Sequence, residues 1–290
     1  MMKRWKVLLA MTLFILTGCS GTEEDIESGF EDRRIISLMP SNTEILVELG
    51  LETNLVGVTS EDNYPESVAN DASITKFNTF ELDAEKMIAL EPTHILGHES
   101  SSPYYEDTLK QVSESTGAEV LVVEEAKSIS GIYDSIKAIG EFINEKTAAE
   151  WLNDDIERKV NVQNSVFENR DEEARVFIHI SSDPELYTAG TETFIDDALS
   201  EIHVENAFDD IDGYAAISPE AVIERNPTEV VSIMGLGDEE LEEALSGIPG
   251  IEGHELDDPK NQCNIEPDLL ARPGPRIADG LRAVGRCIYE

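Results

Sequence analysis

The chain has 290 residues, of which 61 are acidic and 21 basic, and its formal net charge at pH 7 is −40. This charge excludes nucleic-acid binding driven by phosphate neutralisation and disfavours electrostatic binding to anionic lipid, because both need a basic surface. Hydrophobic residues make up 40% and recur in periodic blocks, so the chain is predicted to fold. Since salt screens repulsion between like charges, the acidity favours a halophilic source. An unusually acidic protein from ordinary conditions is the alternative.

The first nineteen residues are typical of an export signal. Lys3, Arg4 and Lys6 precede an apolar run, 7–16, that is too short to span a bilayer permanently. The following Leu-Thr-Gly-Cys resembles a lipobox and predicts lipid attachment at Cys19, with an ordinary cleaved signal as the alternative. Acidic, glycine-containing residues 20–32 then read as a flexible tether. The mature domain is therefore expected outside the cytoplasm, attached to the membrane through its lipid alone.

Residues 33–126 are predicted to form an N-terminal α/β lobe, in which strands alternate with helices. The capping box formed by Ser41 and Glu44 predicts the start of the first helix, which Gly50 ends. The other predicted elements are strands 34–38, 55–58, 94–96 and 120–123, and helices 83–90 and 105–116. This alternation predicts a mostly parallel sheet covered on both faces.

Residues 127–173 are predicted to form a helical connection. Isoleucines recur there with the helical period, at positions 129, 132, 136, 139 and 143. A second capping box, Thr147 with Glu150, predicts a helix of ~33 Å that ends near Asn169.

Strand and helix alternation resumes in 174–290, the predicted C-terminal lobe. The predicted elements are strands 175–180 and 229–233, and helices 194–201, 219–225 and 275–287. The expected fold is therefore α/β, with two Rossmann-like lobes joined by a long rigid helix and a ligand in the cleft between them.

The two lobes share a sequence signature. Residues 83–93 are echoed by 218–228, each with a capping residue, a Glu two positions later and Pro-Thr before a strand. The repeat supports a quasi-symmetric, two-lobed fold.

Several segments carry a family resemblance in chain order. They are Arg-Ile-Ile-Ser-Leu-Met-Pro-Ser-Asn-Thr-Glu at 34–44, Val-Gly-Val-Thr at 56–59, Tyr64-Pro65, 187–190, 205–206, 217–220 and 268–277. With the lipobox, they resemble the substrate-binding lipoproteins of cobalamin ABC importers, in a superfamily that also holds ferric siderophore and haem binders. The resemblance covers about 33–289. It implies two α/β lobes with little hinge closure, no enzymatic activity, cobalamin or another corrinoid as transported ligand, and an ABC permease dimer with its ATPase subunits as partner.

The resemblance also implies roles for individual residues. Glu85 and Glu220 match glutamates that dock onto arginines of the permease, although each also suits the positive end of its helix. The residues implied to contact the ligand are Asp268, Arg272, Tyr214, one of Phe77 and Phe80, and, where the family often has aromatics, Glu61 and His98. Tyr214 as a packed wall aromatic is the alternative.

Other chemistry has little support in the sequence. The chain has no glycine-rich phosphate loop, paired-cysteine metal motif or Gly-x-Ser-x-Gly nucleophile elbow. Among the histidines only His94 and His98 have a ligand-like spacing, and they lie at a strand end, so no metal site is expected. A ferric siderophore or haem remains the alternative ligand. Anionic siderophores are met by arginine clusters, and Arg272 with Arg276 in a very acidic protein favours a less anionic ligand. An exported esterase and an adhesive lipoprotein are weaker alternatives.

Cys263 and Cys287 form an even pair once Cys19 is lipidated. In an oxidising compartment they are expected either to form a disulfide that braces the 268–276 segment or to remain two buried thiols.

Overall fold

The computed structural model describes residues 33–168, 174–182 and 185–290, and the predicted signal, Cys19, the tether and Asn169 lie outside these ranges. The helices are α1 (Pro40–Glu48), α2 (Glu66–Ala69), α3 (Ala84–Ala89), α4 (Ser102–Thr116), α5 (Ile129–Phe142), α6 (Lys146–Phe167), α7 (Phe194–Glu201), α8 (Pro219–Arg225), α9 (Asp238–Ser246), α10 (Pro267–Ala271) and α11 (Ile277–Tyr289). The strands are β1 (Ile35–Ser37), β2 (Leu55–Thr59), β3 (Thr75–Phe77), β4 (His94–His98), β5 (Glu119–Val123), β6 (Arg175–His179), β7 (Leu186–Ala189), β8 (Glu205–Asn206), β9 (Tyr214–Ile217), β10 (Glu229–Ser232) and β11 (Gln262–Asn264).

The first sheet defines what we call the N-lobe. Its five strands run in the order β3-β2-β1-β4-β5, and every neighbouring pair is parallel. Ile36, Met87 and Tyr105 belong to a buried cluster on the face that α3 and α4 cover. The β-branched runs that predicted strands lie in this core because both faces of a parallel sheet are covered.

The second sheet defines the C-lobe, and it too is parallel, in the order β11-β10-β6-β8. A separate antiparallel pair joins β7 to β9, with Tyr214 opposite Ala189. The sequence did not predict this pair. Both lobes nevertheless have the expected α/β class, and the prediction of parallel sheets is confirmed.

Helices α5 and α6 connect the lobes. The predicted isoleucine face of α5 is buried, and a single hydrophobic cluster continues from Ile35 in the N-lobe through these helices to Val284 in α11. Phe167 at the end of α6 stacks on Tyr289, with ring centroids 5.6 Å apart. A side chain at Gly285 would meet the Phe167 ring at 2.3 Å, so glycine permits this close packing.

Both predicted capping boxes are wrong. The N-cap of α1 is Met39, with Pro40 in the first turn, and the N-cap of α6 is Glu145; neither has a side-chain cap hydrogen bond. Ser41 lies within α1, after the first helical residue, and is buried at 4% exposure. It therefore does not stand at the N-cap position.

Candidate ligand-binding cleft

The carboxyl ends of the N-lobe strands face the C-lobe. After β2, Asn63 Nδ2 donates to Asp268 Oδ2 at 2.7 Å, and Arg272 Nη2 donates to the Glu61 carbonyl at 3.0 Å. After β5, the Ile129 N–H donates to Asp197 at 2.7 Å. Ligands of open α/β sheets bind in the crevice outside the carboxyl ends of the strands. The cleft between the lobes is therefore the candidate site.

A group of charged side chains, between 2% and 18% exposed, joins the lobes on one side of this cleft. Glu44 of α1 accepts from Arg272 Nη1 at 3.1 Å and from Arg276 Nε and Nη2 at 2.8 and 2.7 Å. Arg272 also pairs with Asp268 at 3.1 Å. We call Glu44, Asp268, Arg272 and Arg276 the interlobe cluster. Its two carboxylates balance its two guanidiniums.

Glu44 was predicted to cap its own helix, and its actual partners lie in the other lobe. Its side chain is 2% exposed, and a charged carboxylate so buried is costly unless it is paired or well hydrogen-bonded, which the two guanidiniums provide. The Arg276 guanidinium also lies over the Tyr64 ring, 4.0 Å from its centre. The available sequence signal was the pair of arginines four residues apart in a chain poor in basic residues. Tyr64 was noted only within a segment of family resemblance and had no predicted role, and nothing in the sequence pointed to Asn63.

Tyr214 lines a cavity of about 350 Å³ between the lobes. Glu125 and Lys127 contribute from the N-lobe side, and Glu192, Thr193 and Asp212 from the C-lobe side. Burial, with a smaller contribution from the Glu125 charge, raises the pKa of Tyr214 above its ordinary value. The residue as a whole is nevertheless 46% exposed, so it offers a neutral hydroxyl and an aromatic face to the cavity.

The remaining predicted ligand contacts differ in accessibility. Phe77 is 3% exposed and packs in the N-lobe core, whereas Phe80 is 66% exposed, so Phe80 is the ring available to a ligand. Phe80 meets Tyr104, which had no predicted role, edge to face at 5.2 Å between ring centroids.

The other four predicted ligand contacts differ in how far they are open to a ligand: Asp268, Arg272, Glu61 and His98. Asp268 and Arg272 are mostly enclosed in the interlobe cluster, with side chains 18% and 13% exposed. Glu61 is exposed. His98 is buried at the end of β4, where its Nδ1 lies 2.8 Å from Ser100 Oγ and burial lowers its pKa.

Glu85 and Glu220 occupy equivalent exposed positions in the two lobes. Each lies in the first turn of its helix, α3 or α8. The predicted caps are confirmed, because Asp83 accepts from the Glu85 and Lys86 amides and Ser218 accepts from the Ala221 amide. Neither carboxylate is needed as a cap, and both are open to solvent.

Within the described ranges, no group of three or more His, Cys, Asp or Glu side chains is arranged to hold a metal ion. In the same part of the chain, no helix combines the length and apolar character needed to cross a membrane.

Comparison with known proteins places the chain among solute-binding proteins. A family model described as periplasmic binding protein matches residues 35–248. An uncharacterised ABC transporter substrate-binding lipoprotein of Bacillus subtilis is 35% identical, over 96% of this chain and 86% of its own. A cobalamin-binding protein of Halobacterium salinarum is 21% identical, over 90% of this chain and 70% of its own.

Two solved structures share the fold over most of their length. A possible iron-binding, periplasmic solute-binding protein from Staphylococcus epidermidis superposes with a TM-score of 0.80 and 34% identity, covering 89% of this chain and 99% of that one. A periplasmic haem-binding protein from Pseudomonas aeruginosa gives a TM-score of 0.76 and 26% identity, covering 89% and 92%.

Proposed function

Because this chain belongs to the periplasmic binding protein family and is the substrate-binding protein of an ABC transporter, we propose that it captures cobalamin or a related corrinoid outside the cytoplasm. The ligand is cargo for the permease and its ATPase, and the protein performs no chemistry on it. We further propose that Cys19 carries the lipid that holds the protein at the membrane.

The charge of the cleft is the observation that carries the choice of ligand. Arg272 and Arg276 are already neutralised by Glu44 and Asp268. The cavity beside Tyr214 is lined by three carboxylates, from Glu125, Glu192 and Asp212, against the one ammonium of Lys127. Such a wall repels an anionic siderophore or the propionates of haem and tolerates a ligand rimmed with neutral amides.

Exposed aromatic rings on both lobes support the same ligand class. Tyr214 and Phe80 are exposed on opposite lobes, and a large flat ligand needs aromatic faces with a few polar groups. Corrinoids have this shape and bring their own cobalt, so they need no metal site in the protein. The cobalamin-binding relative of Halobacterium salinarum adds support from sequence.

Calorimetric titration of the purified protein tests the proposal. Cyanocobalamin and cobinamide are expected to bind tightly, and haemin and an anionic ferric siderophore at least a hundredfold more weakly. Tight binding of the siderophore alone would overturn the ligand and leave the transport role intact.

Tyr64 favours a second candidate, a haem or ferric ligand. Its ring is 39% exposed beside the interlobe cluster, and tyrosine oxygen is one of the axial ligands by which proteins hold haem iron. The iron-binding and haem-binding structural neighbours support this candidate. If the wild type binds haemin and the visible absorption spectrum of the complex changes in Tyr64→Phe, the haem candidate is supported. If haemin binds weakly and with equal affinity to the wild type and to Tyr64→Phe, this candidate is rejected.

A further inference from the structure

Glu44 fixes an N-lobe element to the C-lobe segment that carries two of the proposed ligand contacts. Helix α1 is anchored in the N-lobe, because residues 41–46 are all buried. On the other side, Asp268, Arg272 and Arg276 belong to a segment whose flanks are joined by the disulfide between Cys263 of β11 and Cys287 of α11. Glu44 thus connects two well-supported elements.

The hydrogen bonds to Glu44 constrain direction as well as distance. Arg276 presents two donors to the carboxylate in a fork, while Arg272 reaches one of the same oxygens from a second position. Two guanidiniums held by one carboxylate allow little rotation about the contact. The neighbouring bonds from Asn63 to Asp268 and from Arg272 to the Glu61 carbonyl add two more points of attachment across the junction.

Separating the lobes here would leave the Glu44 carboxylate and the Arg276 guanidinium without their counter-charges, while Arg272 would keep only Asp268. Such a state is unfavourable, although the intact group need not add net folding stability, because burying charges is itself costly. The same cost makes the cluster effective at specifying one arrangement of the lobes over others.

We propose that Glu44 is a positioning residue, which through Arg272 and Arg276 holds the two walls of the cleft at their binding distance before the ligand arrives. The ligand then meets a preformed site and does not have to order the lobes, a cost that would otherwise reduce its affinity. The role of Glu44 in ligand affinity rests on the proposed function, whereas its role in holding the lobes does not.

The test compares Glu44→Gln with Glu145→Gln. Glu145 forms a partly enclosed ion pair with Arg33, at 2.8 Å and with side chains 17% and 13% exposed, but this pair joins the N-lobe to the α5–α6 turn. The distance between the lobes is measured with nitroxide labels at the exposed positions 114 of α4 and 242 of α9. The labels are attached to unnatural keto-bearing amino acids introduced at these two positions, so that no cysteine has to be changed. The distance distribution is measured by pulsed electron resonance on ligand-free, full-length protein purified from membranes.

We expect a narrow distribution in the wild type and in Glu145→Gln, and a broad one in Glu44→Gln. Cyanocobalamin is expected to dissociate at least tenfold faster from Glu44→Gln than from either. Arg276→Lys, which keeps the charge but not the fork, supplies a milder variant if Glu44→Gln does not fold, and should broaden the distribution less. A wild-type distribution in the folded Glu44 and Arg276 variants, or equal broadening in Glu145→Gln, would overturn the proposal. If the wild type does not bind cyanocobalamin, the ligand assignment fails, and the distance measurement still decides the role of Glu44.

Discussion

Cys263 of β11 and Cys287 of α11 form a disulfide, with their Cα atoms 5.7 Å apart. The chain segment between these two cysteines contains the three C-lobe members of the interlobe cluster. The sequence left a bridge and two free thiols open, and the structure has the bridge. The segment that reaches across to Glu44 is therefore fixed at both of its flanks.

Removing this disulfide is expected to destabilise the protein by about 3.5 kcal/mol. The bridge closes a loop with a sequence separation of 24, and the estimate follows from the chain entropy that such a loop removes from the unfolded state. Urea unfolding of Cys263→Ser/Cys287→Ser measures the change. A loss below about 1 kcal/mol, or two alkylatable thiols in unreduced, denatured wild-type protein, would contradict the prediction.

Tyr214→Ala is expected to weaken ligand binding at least tenfold, because it removes the exposed aromatic face of the cleft, an interaction of about 1.5 kcal/mol or more. Trp151→Ala is the matched control, since Trp151 is 75% exposed on α6. Calorimetric titration with cyanocobalamin should give wild-type affinity for the control. Equal affinities for the two variants would exclude Tyr214 from the ligand site.

Glu85→Ala and Glu220→Ala are expected to reduce uptake while leaving ligand affinity intact, with the double variant worse. Both carboxylates are exposed, and pairing with permease arginines would be charge-assisted, worth up to a few kcal/mol if water is excluded from the contact. Whole-cell uptake, ligand affinity and melting temperature are measured together. Glu114→Ala and Glu242→Ala, two other exposed helical glutamates, control for the loss of charge. If Glu85 and Glu220 only stabilise their helix N-termini, each variant should lose about 0.3–1 kcal/mol of stability and keep normal uptake.

Folding stability is expected to rise from low to molar salt. With a formal net charge of −40, the folded surface repels itself, and added salt screens this repulsion. Melting temperatures across the range measure the effect. A melting temperature independent of salt would contradict the halophilic interpretation and leave the transport function untouched.

Acid is expected to destabilise the protein partly through His179. This side chain is 1% exposed, and burial lowers its pKa to about 4, below the ordinary value of 6.5. Between these two pH values the unfolded chain binds a proton that the folded chain does not. Stability that is complete above pH 6.5 is therefore lost as the pH falls towards 4, by up to about 1.4 kcal/mol per pH unit.

His179→Gln should flatten the pH dependence of the free energy of unfolding relative to the wild type. The comparison with the wild type matters because burial also lowers the pKa values of His94 and His98, which act in the same direction. The control is His203→Asn, because His203 is exposed and asparagine accepts its positive φ of 61°. The same slope in wild type and His179→Gln would show that His179 does not contribute.

Local patterns in the sequence determined much of the fold. Helices 194–201 and 219–225 were predicted with their observed bounds, and Asp83 and Ser218 cap as predicted. These features depend on periodicity and on side chains that bond to amides two or three residues away. The α/β class followed in the same way, from the order of the elements.

Only the tertiary structure determined how distant segments combine. The sequence did not predict the β7–β9 pair or the two-residue strand β8. Short strands have little periodicity of their own, and they form because of pairing partners that are distant in sequence. Glu44 was misassigned for the same reason. As a residue three positions after Ser41 it has the pattern of a cap, yet its partner Arg272 lies 228 residues away. The sequence specifies which groups carry charge, but tertiary packing determines which of them are buried next to one another. Because an unpaired buried charge is costly, burial determines which ion pairs form.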